Sequence, residues 1–390
     1  MNTRNPATVT QELKFLFLES FFGGSHRAFA AGLAAHSRHR IDLLTLPARF
    51  WRWRIRGAAL YFARAVADLE SYDGVIVGGM FSLADFKALT AGACPPVLAY
   101  FHENQLTYPL GPGGHIDHQL GHTDITTALA AERLLFNSRT HRAAFLGSLP
   151  GYLARMPEYR PDWIVAELAA KADVLYPGCD FPVQGEPLAA PDPNEPPLVV
   201  WNHRWDYDKN PGPFFAALDS ALEKGVAFRL ALLGKSAQPP PGAFVRARER
   251  YGGRIVHFGY AASRVEYLGW LKRGAIVVST ARQENFGLAV VEAVRCGCLP
   301  LLPARLSYPE IIPDDLHDAV FYRSDEELNA MLLRRLTDYP RQQGLRRRLA
   351  AAMGRFAWVQ LIGRYDAELE RLAARHHPLQ RRGNRPAVQD

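Results

Sequence analysis

The chain has 390 residues, 48% hydrophobic and 22% charged, a composition that excludes a disordered or fibrous protein and accommodates two or three domains of ~150 residues. No apolar run approaches the roughly 20 residues that a membrane helix needs, and MNTRNPATVTQE lacks the charged-then-apolar pattern of a signal peptide. The formal charge of +7 admits a polyanionic partner, nucleic acid or an acidic membrane face, without choosing between them. Cys94, Cys179, Cys296 and Cys298 are scattered, so they read as reduced core thiols, and a cytoplasmic location is expected.

Residues 1–12 form an N-terminal extension, and Leu13 to Leu18 is the first strand. ESFFGGSH and an Ala-rich helix follow. A strand, a Gly-Gly turn and a Ser at a helix start make a phosphate-tolerant turn, with Gly24 and Ser25 as candidates, although the motif alone is weak. Ile41 to Leu46 is the second strand. After it, Arg49, Arg52, Arg54 and Arg56 alternate with Phe50, Trp51 and Trp53. Guanidinium groups bind phosphate bidentately and aromatic faces stack bases, which is the composition of a single-stranded RNA surface. An anionic-membrane patch and an amphipathic helix packing Trp51 inward fit the same residues.

Gly74 to Val77 is a strand, followed by a helix capped by Ser82 with Asp85 three residues on. Val97 to Phe101 is the next strand, and it ends in His102, Glu103, Asn104 and Gln105. Four hydrogen-bonding side chains at a parallel-strand exit point to a site in the crevice where such sheets bind ligands. His115, His118 and His122 lack the Glu of a zinc-protease motif and sit in loop-like sequence, so no metal site is expected there. Asp124 is expected to start an Ala-rich helix. Leu134 to Phe136 is a strand, and Asn137-Ser138 caps the helix after it. Asp173 to Tyr176 closes a first domain, residues 13–178, and the Pro-rich residues 179–197 are a linker.

A second domain, residues 198–350, opens with Leu198 to Trp201 and then RWDYDK, which sets Arg204 and Lys209 around one turn. Asp206-Tyr207-Asp208 mimics a D-x-D metal motif, but it lies between two cations and reads as structural. Phe228 to Leu233 and Arg254 to Phe258 are strands, the second leading into Gly259-Tyr260. Ala275 to Val278 is a buried strand, then SerThrAlaArgGlnGluAsn turns into a helix from about Phe286 to Arg295, which Gly297 stops. Asn285, Phe286, Gly287 and Leu288 put free backbone N–H groups at that helix N-terminus, suited to a diphosphate, and Gly287 permits close approach. Glu284 and Glu292 face one cleft, and carboxylates accept hydrogen bonds from the vicinal hydroxyls of a sugar and a ribose. Leu345 to Leu372 is helical with a break near Gly354. Residues 351–372 are expected to cross back to the first domain, and 373–390 form a basic tail.

Glu284, seven residues, then Glu292 resembles the E-x7-E signature of retaining GT-B glycosyltransferases of family 4. FFGGSH, LPARFWRWRIRGAAL, YFHENQLTYP, LLFNS and WNHRWDYDKNP narrow the resemblance to the tRNA-queuosine α-mannosyltransferase family, over residues 13 to 370. The resemblance implies two Rossmann-like, doubly wound parallel-sheet domains facing a central cleft. It implies mannose transfer from GDP-mannose to queuosine in the tRNA anticodon, with no metal. In that family Arg204 and Lys209 would hold the leaving diphosphate, Glu284 the sugar and Glu292 the ribose. Gly259 and Tyr260 would lie beside the base and His102 near the anomeric carbon. Arg49, Trp51, Arg52, Trp53 and Arg54 would grip the anticodon stem-loop.

Overall fold

The computed structural model describes residues 12–375 apart from 112, 114–116, 182–187, 189–191, 193 and 235–239. The expectations for residues 1–11, His115, most of the Pro-rich linker and the tail from 376 lie outside the described residues.

Two six-stranded parallel sheets carry the chain. The first is built from β1 (Lys14–Phe22), β2 (Arg40–Pro47), β3 (Gly74–Gly78), β4 (Val97–Phe101), β5 (Arg133–Phe136) and β6 (Ala172–Val174), in the order β2-β1-β3-β4-β5-β6. The second is built from β7 (Leu198–Trp201), β8 (Arg229–Leu233), β9 (Ile255–Gly259), β10 (Ile276–Val278), β11 (Leu299–Pro303) and β12 (Phe321–Tyr322), in the order β12-β11-β10-β7-β8-β9. Short runs of β-branched residues at the sheet centres, Val75–Val77 and Ile276–Val278, are fully buried, as strands covered by helices on both faces must be. Strand order reverses between β1 and β3 in one sheet and between β7 and β10 in the other. Such switch points open crevices at the carboxyl ends of the strands.

Most helix boundaries fall within two or three residues of the sequence pattern. One is corrected: the helix expected to start at Asp124 runs His118–Ala130, and Asp117 caps it through the backbone N–H of Gln119. Asp124 is buried within that helix and accepts from the Gln105 backbone N–H at 2.5 Å. The Ser82 hydroxyl donates to Asp85 at 2.6 Å and makes no cap bond to the helix Leu83–Leu89. Cys296 and Cys298 are buried free thiols.

The last helix, Trp358–Ala373, leaves the second lobe and packs on the first sheet. Trp358, Leu361, Tyr365, Leu369 and Leu372 share one core with Phe15, Phe17, Phe29 and Ile76. Where the chain passes between lobes, Cys179 and Ala357 form a short parallel bridge, with Cys179 N–H donating to Phe356 O at 2.8 Å. The Trp358 indole occupies the space a side chain would need at Gly32 and Gly178, since a Cβ at either would lie 2.2 Å or 2.1 Å from it. Gly178→Ala is therefore expected to cost about 1–3 kcal/mol through overpacking, read as a lower urea midpoint. An unchanged midpoint would mean that the indole can move at no cost.

Candidate active site

The second lobe sets its chemistry at the β7/β10 switch point. After β7 the chain makes a 3-10 turn, Tyr207–Lys209, and enters the helix Pro211–Glu223. That turn carries Lys209 inward, and its ammonium reaches three acceptors: Gln283 O at 2.8 Å, Asp208 at 3.2 Å and Glu284 at 3.3 Å. Asp208 is 1% exposed and also lies 3.7 Å from Arg204, which meets Asp206 at 3.0 Å. The D-x-D look-alike is thus a clamp for two cations. Burial would raise the Glu284 carboxyl, but Lys209, His203 and Arg204 outweigh it and hold the group below its ordinary value. Burial likewise pulls Lys209 down, and Glu284 with Asp208 more than restores it. Both groups are charged at neutral pH.

After β10 the chain turns through Gly287, at φ +96°, into the helix Leu288–Arg295. A Cβ at Gly287 would also lie 3.2 Å from the Tyr308 ring, so the turn requires glycine. This helix start has no side-chain cap and no acidic residue in its first turn, which leaves its dipole and backbone donors uncompensated. Phe286 is 3% exposed and packs against Tyr176 and Phe356, so its side chain anchors the turn and only its backbone borders the crevice. Glu292, inside the helix, accepts from the Tyr267 hydroxyl at 3.0 Å and pairs with Arg264 at 2.6 Å. Neither partner was recognised in the sequence, where nothing ties residues 264 and 267 to position 292. Gly259, at φ +123°, ends β9, and the exposed Tyr260 follows it.

The first lobe presents His102 at the end of β4. Its carbonyl accepts from Asn137 Nδ2 at 2.9 Å and, across the lobes, from Asn285 Nδ2 at 3.1 Å. Arg204 donates to the Tyr108 hydroxyl at 3.1 Å, and the Tyr207 hydroxyl donates to Pro109 O. The loops after β4, β7 and β10 therefore face one another, bringing His102, Arg204, Lys209, Glu284 and Asn285 to one crevice. His102 is buried, and burial together with His26 and His141 holds its imidazole well below its ordinary value, so the ring is neutral. Gly24 and Ser25 are exposed on the first turn of the helix Gly24–His36. Glu103 is half-buried, but Asn104 is 2% exposed and accepts from Thr107 N–H at 3.0 Å, so it shapes the loop rather than offering a free acceptor. Gln105 holds the loop through its backbone bond to Asp124. His118 and His122 are exposed on one helix and belong to no ligand cluster among the described residues. Glu19, His26 and His102 do lie close enough, ligand atoms within 4.8 Å, to be considered together.

The Arg/Trp stretch is a helix, Trp51–Ala65. Trp51 is half-buried against Ile55, Met80 and Leu120, and Arg54 donates to Pro47 O at 3.3 Å. Arg49, Arg52, Phe50 and Trp53 are exposed, Trp53 at 76%. The helix thus divides the stretch, with Trp51 packed inward and a basic aromatic edge left outward. Phe50, at φ +54°, starts this edge. Among the described residues no helix is long and apolar enough to cross a membrane.

A profile of the tRNA-queuosine alpha-mannosyltransferase N-terminal family matches residues 14–179. A tRNA-queuosine alpha-mannosyltransferase of Drosophila melanogaster is 36% identical over 310 residues, covering 77% of this chain and 82% of the fly protein. The chain belongs to the tRNA-queuosine alpha-mannosyltransferase family. A GDP-mannose:cellobiosyl-diphosphopolyprenol alpha-mannosyltransferase of Xanthomonas oryzae is 24% identical over 173 residues, 44% of this chain and 46% of that one. Among solved structures, Anabaena HepE in complex with UDP and glucose aligns with a TM-score of 0.65 at 15% identity, covering 92% of this chain and all of that one. The catalytic domain of Arabidopsis thaliana starch synthase IV, bound to ADP and acarbose, aligns with a TM-score of 0.68 at 11% identity over 93% of this chain and all of that one. The fold is the GT-B fold of these glycosyltransferases.

Proposed function

We propose that the chain is a retaining glycosyltransferase that moves mannose from GDP-mannose to queuosine in the tRNA anticodon, in the cytoplasm and without a metal ion. One observation carries the proposal: a member of this family sets Lys209, Glu284 and the open helix start at Gly287 on one lobe, opposite His102 on the other. Arg204, Lys209 and the backbone at Phe286–Leu288 would hold the departing diphosphate and absorb its charge. Glu284 would orient the sugar and Glu292 the ribose, with Gly259 and Tyr260 beside the base. Gly24 and Ser25 would complete the diphosphate seat. His102 would lie beside the anomeric carbon, with Glu103 on the acceptor side. The phosphate oxygen that leaves would take the acceptor's proton on the face it departs from.

The exposed edge at Arg49, Arg52 and Trp53 would meet the anticodon stem-loop. Arg52→Ala is expected to weaken tRNA binding and to reduce the slope of log K against log salt by about 1. Trp53→Ala is expected to weaken it by about 1–3 kcal/mol through lost stacking. The deciding experiment supplies labelled GDP-mannose and queuosine-containing tRNA, then identifies the nucleoside by mass spectrometry. Trp53-dependent flotation on anionic liposomes, with no tRNA product, would favour a lipid or polysaccharide acceptor at the membrane surface. Binding without turnover of any acceptor would leave a non-catalytic nucleotide-sugar or RNA-binding module.

A further inference from the structure

Glu19 lies near the carboxyl end of β1, followed by the buried Ser20, and is 0% exposed. One oxygen accepts from the Phe21 backbone N–H at 2.8 Å, and both lie 3.3 Å from His26 Nδ1. Gly78 on β3 makes the space for this carboxylate, since a Cβ there would sit 2.7 Å from it. A carboxyl so deeply buried needs hydrogen-bond partners, and the Phe21 N–H and His26 supply them. His26 stands in the first turn of the helix Gly24–His36 and is 6% exposed. Its other nitrogen, Nε2, has no hydrogen-bond partner among the described residues, yet it is not sealed off as His102 Nε2 is. The imidazole lies 4.2 Å from the His102 ring, centroid to centroid, at an interplanar angle of 36°. The ligand atoms of Glu19, His26 and His102 also lie within 4.8 Å of one another, so a bound cation is the rival occupant of this cluster.

The charged and titratable groups around His26 come from three elements besides its own helix: Glu19 on β1, His102 and Glu103 after β4, and Arg204 after β7. Burial pulls the imidazole toward neutrality and Arg204 opposes its charge, but Glu19 and Glu103 outweigh both and raise its pKa. Arg204 is thus within electrostatic reach of His26 across the crevice.

We propose that Glu19 and His26 are a dyad of the transfer site, in which the imidazolium donates a hydrogen bond from Nε2 to the departing nucleoside diphosphate. The proposal rests on the interlobe crevice being the donor site. The anomeric C–O bond breaks with its electron pair going to the phosphate oxygen. The acceptor oxygen bonds to the anomeric carbon on the same face, and its proton passes to that phosphate oxygen. His26 keeps its own proton throughout and only shares it. The second lobe then supplies two cations to the diphosphate, Arg204 and Lys209, and the first lobe supplies a third.

The test is the pH dependence of kcat/KM and of GDP binding by calorimetry. In the unmodified chain both are expected to fall as pH rises through the raised value of His26, because the protonated form is the competent one. Glu19→Gln removes the support for that charge, so the alkaline limb is expected to move to lower pH by about one unit or more. His26→Gln is expected to lose about 100-fold in kcat/KM and to flatten the alkaline limb of GDP binding. It retains Glu19 and its bond to Phe21, so it carries the test if Glu19→Gln fails to fold. An alkaline limb unchanged in the folded variants overturns the dyad while leaving the donor site intact. Activity abolished by a chelator and restored by zinc overturns it in favour of a metal cluster. Failure of the unmodified chain to bind GDP or GDP-mannose overturns the donor-site reading and the dyad with it.

Discussion

Lys209→Met is expected to lower transfer by about 100-fold or more and to destabilise the protein by about 3–5 kcal/mol. The second effect follows from burial. Asp208 is 1% exposed, and both it and Glu284 depend on the same ammonium. Removing that ammonium takes the nearest cation from Glu284 and leaves Asp208 only Arg204, 3.7 Å away, whereas Glu284→Gln leaves Lys209 bound to Asp208 and Gln283 O. Glu284→Gln is therefore expected to lose transfer to a similar degree at a cost of only about 1 kcal/mol. The pH dependence separates them further. The folded-state value of Glu284 is depressed, so its stabilisation is fully present above the unfolded value of 4.5 and is lost as pH falls through the lower folded value. Glu284→Gln should lack that acid limb. Urea unfolding at several pH values and a mannose-transfer assay measure both quantities, and normal turnover by Glu284→Gln would remove its role at the sugar.

Glu310→Ala is expected to be the most disruptive single change at the lobe interface. The carboxylate belongs to the second lobe, yet it accepts from the Arg139 N–H at 2.8 Å, the Thr140 N–H at 2.6 Å and the Tyr176 hydroxyl at 3.1 Å, all of the first lobe. It also accepts from the Thr140 hydroxyl at 2.5 Å. It caps the helix Arg139–Leu153 from across the interface, with the dipole favouring its negative charge. Charge-assisted bonds of this kind contribute about 1.5–3 kcal/mol each, and water replaces part of them, so a net loss of about 2–3 kcal/mol is expected. Donor KM should rise as the lobes lose their fixed spacing, and small-angle scattering should report a larger radius of gyration. An unchanged radius and KM would show that the remaining contacts, the bridge between Cys179 and Ala357 and the Asn285–His102 and Arg204–Tyr108 bonds, set the spacing without it.

The alternation of apolar runs with helical stretches made the two parallel sheets legible, because each strand is a continuous buried run bounded by turn residues. The Glu284–Glu292 spacing was legible for a similar reason: both residues belong to one strand–turn–helix unit, so their relation is local. Contacts between distant segments were not. Glu310 lies 171 residues from Arg139, and no local pattern announces a cap supplied by another lobe. Glu19 and His26 are seven apart and were quoted within a glycine turn, but the partnership depends on Gly78 of a different strand. The helix start was misplaced from Asp117 to Asp124 because both residues precede apolar positions, and only the fold shows which one is buried. Trp51 and Trp53 stand two apart in a helix, so they fall on different faces; inward packing of Trp51 is one of three readings the residues allow, and only the fold decides it.

The helix Trp358–Ala373 seals the core of a sheet whose last strand ends at Val174. During translation the amino-terminal lobe therefore emerges on the order of ten seconds or more before its own cover is made. In that interval the sheet face carrying Phe15, Phe17 and Tyr100 is covered by Phe29 of the helix Gly24–His36 but lacks the second helix that completes its core. A premature stop before Trp358 would therefore release both lobes with part of that face uncovered.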